Sequence, residues 1–312
     1  MMIDPQLAGL LAHMQRSGLP PLHQQTVPQA RAFFDSFIPM YGPGAAMADV
    51  QDLKIPSPGG ALALRVLVPQ PRPRGVIVYF HGGGWVCGSI EQYDALGRKL
   101  AACTGCAVVL VEYRLAPEHP FPAAIDDAWV ATVWASEQLA RLAGVAQPLV
   151  VAGDSAGGNL AAVIAQRARA AGGPKLAMQL LIYPVVDTDF GRPSYLDPAT
   201  QMLLTRDDCA RFLECYVPDM DRRASPDVAP LRAPDLAGLP PTVLITAEFD
   251  PLRDEGEAYA ARLVAAGVTV SFRRFRRQPH GFFQLTNILD ASDRAIDFLA
   301  AGMVQLFPSL DT

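Results

Sequence analysis

Short apolar runs recur along this chain in a rhythm that limits its possible folds. Each run has four or five residues and is apolar at nearly every position, as expected for a strand buried on both faces. Stretches with helical periodicity separate the runs, so the sequence predicts an α/β fold with a mostly parallel central sheet covered by helices on both faces. The runs are 76–80, 107–111, 149–152, 178–182 and 243–246, and the helical stretches are 92–103, 123–143, 155–171 and 253–266.

Two weaker strand signals accompany this rhythm. Strand signals begin near Leu53, and residues 62–68 alternate between apolar and smaller or polar side chains after a Pro-Gly-Gly turn, which is typical of a half-exposed hairpin strand. Residues 270–275 form the last strand candidate.

Two segments fall outside the rhythm. Residues 4–16 have the spacing of an amphipathic helix, and a second amphipathic segment at 33–38 ends near a Gly-Pro-Gly turn. The stretch 187–239 lacks a buried strand, but residues 207–216 are again amphipathic. We expect the two segments to form one helical cap. The predicted cap comprises residues 1–48 and 187–220, and the predicted catalytic domain comprises 49–186 and 221–312.

Composition excludes several classes of protein. Half of the 312 residues are apolar and 18% are charged, which is too apolar for a disordered chain. The net charge of −5 argues against nucleic acid or an anionic membrane as the main partner. No apolar run reaches the ~18 residues of a membrane helix, and the N-terminus lacks a secretory pattern.

The cysteines give a further hint about location and metals. Their number, five, is odd, which fits reduced thiols in a cytoplasm better than a disulfide framework. Cys103 and Cys106 form one C-x-x-C without a second pair or a histidine cluster, so we interpret them as ordinary structural cysteines. We expect a cytoplasmic protein without a metal site.

A first chemical motif lies at 153–157, where Gly-Asp-Ser-Ala-Gly matches G-x-S-x-G. It follows the buried run 149–152 and opens a helical stretch, which is the context of a nucleophile elbow. Ser155 is thereby placed at a helix N-terminus, where backbone N–H groups favour developing negative charge. The alternative is an unreactive Gly-rich helix start.

A second motif, His-Gly-Gly-Gly-Trp at 81–85, directly follows the run 76–80. Consecutive glycines let backbone N–H groups approach a ligand, and a carbonyl under attack needs such donors at its oxygen. The alternatives are a flexible turn or a phosphate cradle, although the Lys-Ser/Thr of a P-loop is missing. An early HGGG loop before G-x-S-x-G is the order expected of a hydrolase with an oxyanion hole.

A serine nucleophile needs a base and an orienting carboxylate. His280 follows the last strand candidate, and Asp250 follows the run 243–246, so the chain order Ser155, Asp250, His280 is that of α/β-hydrolases. His81 is expected instead to fix the Gly-rich loop by hydrogen bonding. The other histidines are His13 and His23 near the N-terminus and His119 in a Pro-rich turn, and the rival acids are Asp187, Glu248 and Asp254.

In the combination of its motifs, the chain resembles the bacterial hormone-sensitive-lipase-like carboxylesterases. The resemblance rests on HGGGW, EYRLAPEHPFPAA, GDSAGGNLAA, EFDPLRDEGEAYAARL and the PHGF loop, and it runs from about Leu53 to the C-terminus. It implies an α/β-hydrolase fold with a helical cap and hydrolysis of short- to medium-chain esters without cofactor. It also implies Ser155 as nucleophile, Asp250 and His280 as its partners, and an oxyanion hole formed by the backbone N–H groups of Gly82, Gly83 and Ala156.

Two other functions remain open at this level. An amidase or formamidase could use the same three residues, because the pocket and leaving-group protonation decide between ester and amide. A non-catalytic receptor is the second alternative, since plant hormone receptors that resemble this family keep the cap and the pocket but lose the catalytic histidine. For a carboxylesterase, the predicted partner is a small-molecule ester substrate.

The basic run 273–277 invites a nucleic-acid interpretation. Charges on a terminal strand more simply discourage edge-to-edge aggregation, and the overall acidity favours that explanation. Because the last strand and the following helix often build a homodimer in the family that this chain resembles, a dimer interface there is our second interpretation.

Overall fold

A computed structural model describes residues 6–7, 20–144 and 147–307 of the chain. The helix expected over residues 4–16 lies almost wholly outside the described residues, of which Gln6 and Leu7 are helical.

The described residues form one eight-stranded sheet in the order β1-β2-β4-β3-β5-β6-β7-β8. The pairs β1/β2 and β2/β4 are antiparallel, and all others are parallel. The mostly parallel sheet predicted from the apolar runs is therefore confirmed. The strands are β1 (Asp49–Ser57), β2 (Gly60–Val68), β3 (Val76–Phe80), β4 (Ala107–Glu112), β5 (Leu149–Asp154), β6 (Met178–Ile182), β7 (Thr242–Phe249) and β8 (Val270–Pro279).

Helices occupy both faces of the sheet and the stretches outside it. Five shorter single-turn 3-10 segments lie among them at Leu22–Gln24, Pro198–Thr200, Met220–Arg222, Pro230–Arg232 and Phe282–Gln284. The described helices are α1 (Val27–Asp35), α2 (Ile38–Tyr41), α3 (Ile90–Thr104), α4 (Ala123–Glu137), α5 (Leu139–Leu142), α6 (Ala156–Ala171), α7 (Pro193–Leu196), α8 (Arg206–Tyr216), α9 (Arg253–Ala265) and α10 (Asp290–Leu306).

The central strand β3 shows why the runs are continuously apolar. Its five side chains are all buried, and successive ones point to opposite faces of the sheet. Val76, Val78 and Phe80 belong to a core shared with α4, α6 and α9. Ile77 and Tyr79 belong to a second core, shared with α3 and α10. A strand between two cores has no face left for polar side chains.

Two elements were not predicted as such. The strand β1 begins before Leu53, and most of its residues are exposed or half-buried, so it lacks the apolar run of a central strand. The helix α10 lies after the last strand candidate and buries one stripe of side chains in the core that also contains α3. The predicted helix over 123–143 is divided at Gln138 into α4 and α5.

The two segments outside the sheet rhythm contain the remaining helices. The first contributes α1 and α2, and the second contributes α7 and α8. No strand is present in residues 187–239, all of which are described, as the sequence predicted. The two segments meet where His23 contacts Asp208: the backbone N–H of His23 donates to Oδ1 at 2.7 Å, and its ring Nδ1 lies 3.0 Å from the same oxygen.

Candidate active site

The turn between β5 and α6 places Ser155 in an unusual backbone conformation. Its φ of 55° and ψ of −118° lie in a region that L-residues rarely adopt. A Cβ at Gly157 would overlap the backbone oxygen of Phe80, and one at Gly153 would overlap Gly157 itself. Both glycines of the motif are thus required by close backbone approach. The N–H of Ser155 donates to the carbonyl of Ile182 at 2.9 Å, which fixes the turn against β6.

Three side chains from different strand ends meet at this turn. The Oγ of Ser155 lies 2.9 Å from Nε2 of His280, and Nδ1 of His280 lies 2.9 Å from Oδ2 of Asp250. Asp250 is fully buried, and its Oδ1 accepts a hydrogen bond from the backbone N–H of Leu252 at 2.8 Å. The carboxylate is therefore held from both sides, and the three predicted residues form one hydrogen-bonded chain.

The rival acids are engaged elsewhere. None of Asp187, Glu248 and Asp254 has a hydrogen bond to His280 among the described contacts. Their partners are Arg192 and Arg232 for Asp187, the backbone N–H of Arg277 for Glu248, and Ser194 and Arg253 for Asp254.

His81 does not join the hydrogen-bonded chain. Its Nδ1 lies 2.8 Å from the carbonyl oxygen of Gly82, and its ring stacks on Tyr113 with the centroids 4.2 Å apart. Burial lowers the pKa of His81 to about 4, so the ring is neutral at pH 7. The prediction that His81 fixes the Gly-rich loop is confirmed.

Of the remaining histidines, His23 and His119 are described, and neither has a hydrogen bond to Ser155 among the described contacts. His119 is exposed in its turn, His23 contacts Asp208, and His13 lies outside the described residues.

Two glycines of the Gly-rich loop lie at the cavity above Ser155. Gly83 and Gly84 line this cavity and have φ values of 114° and 62°, which favour glycine. A Cβ at Gly83 would overlap the carbonyl of Cys87, and one at Gly84 would overlap the ring of Phe212. Among the loop hydrogen bonds of the described chain, neither glycine donates its N–H to an acceptor.

Gly82 requires a correction. Its N–H donates to Oδ1 of Asp154 at 2.9 Å and to the hydroxyl oxygen of Tyr93 at 3.0 Å. A buried N–H that already has two acceptors is not free to bind a substrate oxygen. The structure therefore contradicts the prediction of Gly82 as an oxyanion donor.

Behind the loop lies a buried carboxylate that the sequence did not single out. Oδ1 of Asp154 accepts from the hydroxyl of Tyr79 at 2.9 Å, and Oδ2 accepts from the hydroxyl of Tyr93 at 3.0 Å. Burial raises the pKa of Asp154 to about 6, while these hydroxyl hydrogen bonds and the nearby His280 act in the opposite direction. In the sequence this residue is the variable x of G-x-S-x-G, and Tyr79 and Tyr93 lie in a strand run and a helical stretch without a motif of their own.

The cavity above Ser155 has a volume of about 410 Å³. Its floor is formed by Ser155, His280, Gly83 and Gly84, and its walls come from the two segments outside the sheet. Aromatic and aliphatic side chains dominate these walls, among them Phe33, Phe34, Phe37, Phe190, Met202 and Phe212. A pocket of this size with few polar groups is typical of a small-molecule site.

Within residues 6–7, 20–144 and 147–307, no group of three or more His, Cys, Asp or Glu side chains is arranged to hold a metal ion. Over the same part of the chain, no helix has the length and apolar character needed to cross a membrane.

Comparison with known proteins decides the family. Residues 77–284 match a family model described as the alpha/beta hydrolase fold. The chain belongs to this family. Carboxylesterase NlhH of Mycobacterium tuberculosis is 45% identical over 223 residues, which cover 70% of each protein. The ethyl acetate hydrolase of Pseudomonas putida is 33% identical over 318 aligned positions, which cover 98% of this chain and 99% of that protein.

A solved structure agrees along almost the full length of this α/β-hydrolase. The hyperthermophilic esterase of the archaeon Pyrobaculum calidifontis is 37% identical, with a TM-score of 0.92 over 98% of this chain and 99% of that one. The predicted α/β-hydrolase fold and the resemblance to bacterial carboxylesterases are confirmed.

Proposed function

We propose that this protein is a serine carboxylesterase that hydrolyses short- to medium-chain carboxylic esters through an acyl-enzyme. The observation that carries the proposal is the hydrogen-bonded chain from Ser155 through His280 to Asp250 at the floor of an apolar cavity. The esterase names of the relatives support the reaction class.

The proposed first step is attack by Ser155 on the ester carbonyl. Nε2 of His280 takes the hydroxyl proton, and Asp250 holds the imidazole in the required tautomer and stabilises the imidazolium. His280 then gives the proton to the leaving alcohol. Water repeats the same route on the acyl-enzyme and releases the acid, so no group beyond the chain and water is needed.

The proposed oxyanion donors are the backbone N–H groups of Gly83, Gly84 and Ala156. Gly83 and Gly84 line the cavity with no loop acceptor among the described residues, and Ala156 is the first residue of α6. The N–H groups of a helix's first turn have no partner within the helix, and the helix dipole there favours negative charge. Donors of this kind lower the barrier because they are already oriented when charge develops on the carbonyl oxygen.

The proposed substrate range follows from the size of the cavity and its walls. About 410 Å³ must hold both the acyl and the alcohol part of the ester, and the apolar walls favour groups without charge. A relative named for ethyl acetate hydrolysis, which aligns along nearly the whole chain, supports the short end of this range.

We also propose that residues 1–48 and 187–220 act as one cap over the site. Both segments contribute cavity walls, and the contact between His23 and Asp208 joins them. Arg31 of α1 donates to the carbonyl of Val86 at 2.9 Å and pairs with Glu118, so this helix is also attached to the residue that follows the Gly-rich motif. The homodimer through the last strand and the following helix stays a prediction, for which the edge position of β8 leaves room.

Initial rates on a panel of nitrophenyl esters and matched nitroanilides test this proposal. We expect hydrolysis of acetate to hexanoate esters and much slower cleavage of the anilides. Faster cleavage of the anilides would favour an amidase, and binding without turnover would favour a receptor.

A further inference from the structure

Gly82, which cannot itself bind the substrate oxygen, is held at both ends by buried side chains. Its N–H donates to Asp154 at 2.9 Å, and its carbonyl oxygen lies 2.8 Å from Nδ1 of His81. Because the acceptor is a carbonyl oxygen, Nδ1 must carry the ring proton. Asp154 and His81 are 3% and 2% exposed, so water hardly competes for either bond.

This double attachment determines where the next amide points. A trans peptide is planar, and its C=O and N–H point in opposite directions. The carbonyl of Gly82 and the N–H of Gly83 belong to the same peptide plane. The hydrogen bond between that carbonyl and His81 therefore turns the N–H of Gly83 to the opposite side of the plane. The hydrogen bond from the N–H of Gly82 to Asp154 holds the preceding peptide, so the position of Gly82 is fixed as well.

The carboxylate that holds Gly82 is itself held. Tyr79 donates to the same Oδ1 that accepts from Gly82, and Tyr93 donates to Oδ2. Tyr79 lies on β3 immediately before the loop, and Tyr93 lies on α3 after it. The hydroxyls thus link the carboxylate to the elements on both sides of the loop, while residue 154 itself adjoins Ser155. The nucleophile and the Gly-rich loop share one rigid support.

We propose that Asp154 is a positioning residue that aligns the Gly83 and Gly84 amides with the acyl oxygen bound at Ser155. The inference rests on the function proposed above. Asp154 acts through the backbone of Gly82 and forms no bond with the substrate. Loss of the Asp154 carboxylate shifts the loop but leaves the apolar walls of the cavity in place. The chemical step therefore becomes slower, while substrate binding by the walls is retained.

The test compares Asp154→Ala with Asp154→Asn on one nitrophenyl ester. Alanine removes the carboxylate that accepts from Gly82 and leaves only the hydroxyl oxygen of Tyr93, which loses the same carboxylate as its own partner. A misplacement of ~1 Å in such a site costs about 10²-fold. We expect kcat to fall by about that factor, with KM little changed. Asparagine keeps an Oδ1 that can accept from Gly82, so its kcat should lie well above that of the alanine variant.

A matched control removes a buried carboxylate elsewhere. Asp127 is 1% exposed and bonded to Ser57 and Arg114, and none of these three residues lines the cavity. Asp127→Ala should lower the midpoint of thermal unfolding and leave kcat unchanged. If Asp154→Ala does not fold, Tyr79→Phe replaces it, since it removes one of the hydroxyls that hold the carboxylate, and it should lower kcat without raising KM.

Several outcomes would overturn the inference: a folded Asp154→Ala with the kcat of the wild type, a rise in KM at constant kcat, or an asparagine variant no better than alanine. Ser155→Ala, measured in the same series, separates failure of the proposed function from failure of the role proposed for Asp154. An active Ser155→Ala refutes the proposed function itself. An inactive Ser155→Ala beside a fully active Asp154→Ala refutes only the role of Asp154.

Discussion

Nδ1 of His280 lies 2.9 Å from Oδ2 of Asp250, and this contact selects one carboxylate among several acidic groups that follow the strands of the sheet. Asp250 comes directly after β7, and His280 directly after β8, which pairs with it in parallel. The carboxyl ends of parallel neighbours meet at one sheet edge, so the two residues are brought together by topology. In this ester hydrolase, the position of Asp250 in the sheet is what brings its carboxylate to His280.

The first prediction concerns this carboxylate. Asp250→Asn keeps the shape of the side chain but favours the wrong imidazole tautomer, and the matching change in a serine protease costs about 10⁴ in kcat. We expect a loss of similar order. Asp254→Asn is the matched control, because Asp254 bonds Ser194 and Arg253 instead of His280. Steady-state kinetics at neutral pH would contradict the assignment if the control lost more kcat than Asp250→Asn.

The second prediction concerns the Gly-rich loop. Gly84→Ala places a Cβ against the ring of Phe212 at a φ of 62°. The loop must move, and kcat should fall by about 10² or more, as for loss of one oxyanion donor. Gly267→Ala controls for backbone strain, since it has a φ of 80° and no atom within 4 Å of the added Cβ. It should cost ~1 kcal/mol of stability and no kcat. Equal kcat in both variants would place the oxyanion hole elsewhere.

The third prediction concerns acyl-chain length. Phe212 is a residue of α8, and its ring lies beside Gly84 and lines the cavity. Phe212→Ala enlarges the cavity there, so kcat/KM for octanoate should rise relative to acetate. Arg211→Ala, an exposed change on the same helix, should leave the ratio as it is. An unchanged ratio for Phe212→Ala would show that this wall does not limit the acyl chain.

The fourth prediction concerns pH and stability. Glu255 is fully buried, and it accepts from the N–H of Val186 at 2.8 Å and the hydroxyl of Tyr195 at 2.9 Å. Burial raises its pKa from 4.5 to about 8. The folded chain therefore holds a proton there that the unfolded chain has lost, and the resulting stability is complete below pH 4.5 and is lost as pH rises through about 8.

Glu255→Gln removes this titration and keeps the side chain's shape. The free energy of unfolding, measured by urea at pH 5 and pH 8, should fall less with rising pH in the variant than in the wild type. Equal falls in the two proteins would show that Glu255 titrates alike in the folded and unfolded states.

Much of the fold was predictable because each central strand lies between two cores. Val76, Ile77 and their neighbours must all be apolar, and that pattern is visible without coordinates. The strand β1 was not predicted in full. Only Ile55 among its residues is buried, because β1 lies at the edge of the sheet, and such a strand does not need a continuous apolar run.

The candidate site was also predictable only in part. Ser155, Asp250 and His280 were predicted from motif context and chain order, because parallel strands bring the residues at their carboxyl ends together. The engaged N–H of Gly82 was not predictable, since it depends on where the Asp154 side chain lies in space. The proposal of Gly84 as a donor in place of Gly82 therefore depends on the hydrogen bonds from Gly82 to Asp154 and Tyr93.

The central claim is that Ser155 is the nucleophile, and covalent labelling tests it most directly. A nitrophenyl phosphonate should inactivate the enzyme with one equivalent bound, and peptide mass spectrometry should place the label on Ser155. Ser155→Ala should fold, bind no label and lose ester hydrolysis. A label on another residue, or a Ser155→Ala variant that still hydrolyses esters at the wild-type rate, would contradict the account.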